Sequence, residues 1–173
     1  MNITKKIIIT DTNIITDLSN ADILNVFVSL DNVYVSDMVK RDEIKASTGD
    51  LSIIEQFQTI PASPKQISEI IKISEKNHEL SSCDIINYVL ARDNSAILAT
   101  GDRKLKEFAE ANNVEVIRTL KIIDLLVEKD IISKNVALHS CNKLKNNAKT
   151  RIPSNEINDF IKSLNDKKKT NLR

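Results

Sequence analysis

The sequence predicts an α/β domain: a central, mostly parallel sheet with helices on both faces, extended by C-terminal helices. Three observations predict it. Short apolar runs rich in β-branched residues alternate with segments of helical period as far as about residue 130. Only two glycines and three prolines interrupt the 173 residues, and Pro61 and Pro64 fall together, so most of the chain is regular and rich in helix. Beyond residue 133 no strand signal remains.

The first strand spans 5–10. Its run of Ile7, Ile8 and Ile9 is too short for a free helix and suits a strand buried on both faces. Thr12 or Asn13 can cap a short helix over 14–18. A helix over 22–30 carries Ile23, Leu24, Phe27, Val28 and Leu30 at helical spacing. A strand over 32–36 leads into a helix capped by Ser36 or Asp37 and running to about 45. Gly49 breaks the chain at 47–50. Residues 51–60 read two ways: helical through Ile53, Ile54 and Phe57, or a short strand over 57–60 before Pro61. Pro64 opens a helix to about 77 with Ile67, Ile70, Ile71 and Ile73 turned inward. A helix over 83–92, a strand over 96–100, a helix over 103–112, a strand over 114–117 and a helix over 120–130 follow. Two further helices, 133–147 and 154–164, are joined by a link at 149–153. The chain thus divides into a body, 1–132, and a basic helical extension, 133–173, packed on or appended to it.

Charge follows the same division. Residues 1–133 hold 15 Lys+Arg against 21 Asp+Glu, and residues 134–173 hold 10 against 3. An acidic body suits a cation, and a basic arm suits an anion such as nucleic acid. The arm reads equally as a solvated helical end closing on the lysine run 167–169. Cys83 and Cys141 lie far apart without CxxC spacing, which excludes a zinc ribbon or a disulfide framework. No run is long and apolar enough to span a membrane or to serve as a signal peptide, so a soluble, cytoplasmic protein is expected.

Two buried-type strands end in an acid: IIIT runs into Asp11, and ILATG into Asp102. In a parallel sheet both carboxylates leave the same edge, where open α/β sheets keep their ligand sites. Glu43 and Asp84 sit at helix positions facing that edge. Clustered carboxylates repel one another, and a hard divalent cation removes the repulsion. Magnesium or manganese so held suits phosphodiester hydrolysis.

These residues resemble the four acidic motifs of PIN-domain ribonucleases, the group that includes VapC-type toxins. The matching stretches are Asp11-Thr12-Asn13, Val39-x-x-x-Glu43, Leu80-Ser81-x-x-Asp84 and Leu98-Ala99-Thr100-Gly101-Asp102 before Leu105. Their order and spacing match over about residues 5–130. The resemblance implies a PIN-like three-layer α/β/α fold and a magnesium- or manganese-dependent endoribonuclease. It gives metal ligation to Asp11, Asp84 and Asp102, and a ligand or water-orienting role to Glu43. Asn13 and Thr100 receive supporting polar roles. Val116-Ile117-Arg118-Thr119-Leu120 resembles a strand-end stretch of one PIN subgroup, with Arg118 in place of its usual glycine. Residues 146–153 resemble that subgroup's basic turn. A separately encoded antitoxin and a homodimer are implied in the same way.

Each acid also has a plainer role. Asp11 and Asp102 can cap the helices that follow them, and Ser81-x-x-Asp84 reads as a capping box. Glu43 reads as a surface acid, and Asp17, Asp37 and Asp42 as solvent-facing or capping acids. Arg103, Lys104 and Lys106 follow Asp102 and can reach phosphate, or equally stand solvated on an exposed helix. Lys143, Lys145, Lys149 and Arg151 are the better candidates for an RNA backbone or partner surface. Two other functions compete. A haloacid dehalogenase-type phosphatase also places an Asp after its first strand, but needs a second Asp where this chain has Asn13. A PIN-fold nucleic-acid-binding protein with little turnover would keep the site without the rate.

Overall fold

The computed structural model describes residues 6–41 and 51–166. Among them lies a five-stranded, wholly parallel sheet of order β3-β2-β1-β4-β5. The strands are β1 (Ile8–Thr10), β2 (Val33–Ser36), β3 (Gln58–Ile60), β4 (Ile97–Ala99) and β5 (Val116–Ile117). On one face pack α1 (Thr12–Asn20), α2 (Leu24–Val28), α8 (Thr119–Glu128), α9 (Lys134–Asn146) and α10 (Ser154–Asp166). On the other pack α5 (Pro64–Ser74), α6 (Ser82–Asp93) and α7 (Arg103–Ala111). A short turn of helix, α3 (Asp37–Val39), follows β2, and α4 (Leu51–Gln56) precedes β3.

The strands read as unbroken apolar runs because each face of the sheet has its own core. Ile8, Val33, Val35, Ile97 and Ala99 point into the first layer. Ile9, Tyr34 and Leu98, between them in sequence, point into the second. The period of two is present, but both phases are apolar. The ambiguous stretch 51–60 holds both of its readings, α4 and then β3.

Two expectations about helices change. Ile70 is buried, but Ile67 and Ile71 are 50% and 56% exposed. Helix α5 shows α6 one narrow face, and an i, i+4 pair off that face meets solvent. The helix expected from residue 22 begins at Leu24, because Asp22 has a positive φ of 57°. With glycine so scarce, four helices among the described residues end through a non-glycine residue in the left-handed region: Asp22 after α1, Ser95 after α6, Asn113 after α7 and Asp130 after α8. Asn and Asp tolerate that conformation best.

The C-terminal helices share the first core. Ala137, Cys141 and Leu144 of α9, and Ile157 and Leu164 of α10, pack in one cluster with Ile14 and Phe27. Ser140, buried, donates to the Ala21 carbonyl at 2.8 Å and ties α9 to the end of α1. Ser140→Ala leaves that carbonyl unpaired, and we expect a loss of about 1–2 kcal/mol in denaturant unfolding. Burial pushes the Cys141 thiol up to about 11, so it behaves as a small apolar side chain.

Candidate active site

Strand order puts β1 beside β4, with Thr10 opposite Ala99. The chain leaves β1 toward β2 and β3, then returns to β4 on the other side. The carboxyl ends of β1 and β4 therefore flank the topological switch point, where open α/β sheets bind ligands.

Asp11 occupies that point. Its N–H donates to the Ala99 carbonyl at 3.0 Å, continuing the ladder. Its side chain is 3% exposed. One carboxylate oxygen caps α1 by accepting from Ile14 N–H at 2.9 Å, and the other accepts from the Thr100 hydroxyl. The cap of α1 is thus Asp11 rather than Thr12 or Asn13. Burial pushes the Asp11 carboxyl up to about 7, against the hydrogen bonds from Thr100 and Ile14. The nearby charge of Asp84 raises it further, and a hydrogen bond from Asn13 lowers it.

Thr100 joins the two strand ends. Its hydroxyl donates to Asp11 and accepts from Asp102 N–H at 3.0 Å. Asp102 caps α7 through Leu105 N–H at 2.9 Å. Asp84 accepts from the Ser81 N–H and hydroxyl, both at 2.8 Å, in a complete capping box. Asp84 and Asp102 each keep one oxygen outside these bonds. The capping and ligand roles are therefore compatible, because the cap orients the carboxylate. Glu43 lies outside the described residues. Among the described residues, no group of three His, Cys, Asp or Glu side chains lies close enough together to hold a metal ion.

Beside Asp11 opens a cleft of about 450 Å³. It is walled by Asn13 and Asp17 of α1, by Gly101, by Arg118–Leu120 at the start of α8, and by Lys149, Arg151 and Ile152 of the C-terminal link. Gly101 permits a close approach: a Cβ there would stand 3.3 Å from the Asn13 Cβ, tighter than ordinary contact. Asn13 bridges site and cleft, hydrogen-bonding Asp11 on one side and accepting from an Arg151 Nη at 3.1 Å on the other.

A match to a PIN-domain family model covers residues 7–166. The chain belongs to the PIN-domain family. Neither a curated protein nor a solved structure matches it. PIN domains are in general nucleases and typically use divalent metal ions. Here the donors at the sheet edge are all oxygens, as a hard divalent cation requires. Asp11 is a buried carboxylate bonded only to neutral groups among the described residues, and a cation there would offset its desolvation.

The cleft of this PIN domain is also lined by an acid to which the sequence reading gives no site role. Asp17, assigned to solvent or a cap, is buried. It accepts from the Thr119 hydroxyl at 2.6 Å; burial raises its pKa, and the charges of Arg151 and Arg118 oppose that rise. The signal available was its i, i+4 spacing from Asn13 on α1. The basic candidates separate in space. Lys149 and Arg151 reach the cleft. Lys143 pairs with Asp22, Lys145 is exposed at the end of α9, and Arg103 is exposed and pairs with Glu107 at 3.6 Å. Asp84→Ala removes the capping box, and we expect about 1 kcal/mol less stability in thermal unfolding.

Proposed function

We propose that this PIN domain is a magnesium- or manganese-dependent endoribonuclease, and the toxin of a type II toxin–antitoxin pair. The observation that carries the reading is Asp11: a carboxylate at the switch point, buried, bonded to neutral groups, and raised to about 7 by burial. Asp11, Asp84, Asp102 and Glu43 would hold the metal. When bound, the ion supplies an activated water and stabilises the leaving oxygen of a phosphodiester. Thr100 and Asn13 hold Asp11 in one orientation, and the two capped helix starts hold Asp84 and Asp102. In the phosphatase alternative the position of Asn13 must be a second Asp. An amide accepting from Arg151 stands there instead, and the chain's family is a different one.

The purified protein should cut a mixed RNA pool with magnesium or manganese, and stop with a chelator. Release of phosphate from small monoesters without RNA cleavage would overturn the reading. Metal binding without any RNA cleavage would leave a nucleic-acid-binding role. Expression should arrest growth, and the product of a neighbouring short reading frame should relieve it. Light scattering at micromolar concentration would check the proposed homodimer. Among the described residues no helix is long and apolar enough to cross a membrane.

A further inference from the structure

We infer that the cleft beside Asn13 is a second-phosphate subsite that holds the RNA strand next to the bond to be cut, with Arg118 and Lys149 as its anchors. This rests on the nuclease reading above and names how that site takes its substrate.

Charge gives the first argument. Three cations, Arg118, Lys149 and Arg151, converge on one cavity from two segments distant in sequence. Among the described residues, neither Lys149 nor Arg151 has a carboxylate within ion-pair distance, and both are exposed. Arg118 pairs with Glu156 at 3.4 Å, both about two-fifths exposed. Such a pair is weak in water and exchanges readily for a phosphate. The buried Asp17 lies close enough to Arg118 and Arg151 for their charges to act on it, and it is braced by Thr119.

Shape gives the second. A volume of about 450 Å³ is in the range of pockets that take a small organic ligand, and more than a bare phosphate fills. Leu120 and Ile152 add apolar wall among the cations, which suits a sugar or base edge beside a phosphate. Position gives the third. Asn13, two residues beyond Asp11, lines the cleft and accepts from the Arg151 Nη at 3.1 Å, so the cleft adjoins the carboxyl end of β1. A strand with one phosphate at Asp11 can therefore continue into the cleft. A free mononucleotide would satisfy the cations but would not need the two sites side by side.

Binding tests the subsite apart from cleavage. A fluorescein-labelled eight-nucleotide RNA is titrated with the Asp11→Asn protein in magnesium, so that the strand stays whole. Anisotropy is read across a salt series. Arg118→Ala and Lys149→Ala, each added to that background, should weaken binding several-fold and lower the log–log salt slope by about 0.7 apiece. Lys72→Ala, an equal charge change on exposed α5, should do neither. Unchanged affinity and slope in both cleft variants, an equal loss in the Lys72 control, or no RNA binding at all would overturn the inference. Displacement of the RNA by uridine monophosphate at equal phosphate concentration would also overturn it, making the cleft a mononucleotide pocket. If the slopes fall as expected while the unmutated protein cuts no RNA, the nuclease reading fails and the cleft stands only as an RNA-binding site.

Discussion

Asp11→Asn should abolish RNA cleavage and, without metal, make the protein more stable at pH 8. The two effects have one cause. The Asp11 carboxyl is raised from 3.8 to about 7 by burial. Between those values the folded protein holds a proton that the unfolded chain releases. Stability contributed by protonated Asp11 is full below pH 3.8 and is lost as pH rises through about 7. Above that, the ionised group costs at most about 4 kcal/mol. Asparagine resembles the protonated acid in shape and carries no charge, so the variant escapes the loss. Denaturant unfolding with chelator present should show a difference near zero at pH 3 and a gain of roughly 2–4 kcal/mol at pH 8. Activity should fall by more than the roughly 10- to 100-fold typical of residues that only support a metal ligand. Millimolar magnesium or manganese should stabilise the unmutated protein and leave the variant unmoved. A fully active Asp11→Asn protein would remove Asp11 from the chemistry. Equal stability at pH 8 would show that burial does not strain this carboxylate.

Thr100→Val should act in the opposite direction on stability. The Thr100 hydroxyl donates to Asp11 and accepts from Asp102 N–H, inside a residue with no solvent exposure. Valine keeps the strand-end shape and removes both bonds. We expect about 2–3 kcal/mol lost at pH 8, from a buried carboxylate and a backbone N–H left without that partner. The hydrogen bond lowers the Asp11 pKa, so it favours the ionised form. Its loss should therefore be felt more at pH 8 than at pH 5, and unfolding at both pH values would check this. Activity should fall by about 10- to 100-fold, through the orientation of Asp11. A loss of stability equal at both pH values would show that the hydroxyl supports the fold without tuning the acid.

Much of this is legible in the sequence. Ile8, Leu98 and their neighbours announced buried parallel strands because both phases of each strand were apolar. Asp11 and Asp102 announced the edge because each closes such a run. The capping readings of Asp11, Asp84 and Asp102 were also legible, and all three caps are present. A cap does not preclude a ligand role, since a capped carboxylate is an oriented one. Less was legible where the decision belongs to neighbours. Ile67 and Ile71 have the same period as Ile70, yet the width of the face that α6 covers leaves them in solvent. Asp22 looks like a helix start and is a left-handed helix end.

By itself, then, the sequence determined the layered α/β class, the order of its elements and the acids at two strand ends. Those follow from local period and from residue type at strand termini, which neighbouring residues in the chain decide. Tertiary structure alone decided that β1 and β4 are adjacent, that Thr100 bonds Asp11, that Asp17 is buried, and that Arg118 meets Lys149 and Arg151 in one cleft. Thr100 bonds Asp11 across 89 residues, and Arg151 reaches Asn13 across 138. Such contacts depend on strand order and helix packing, and no local pattern carries them.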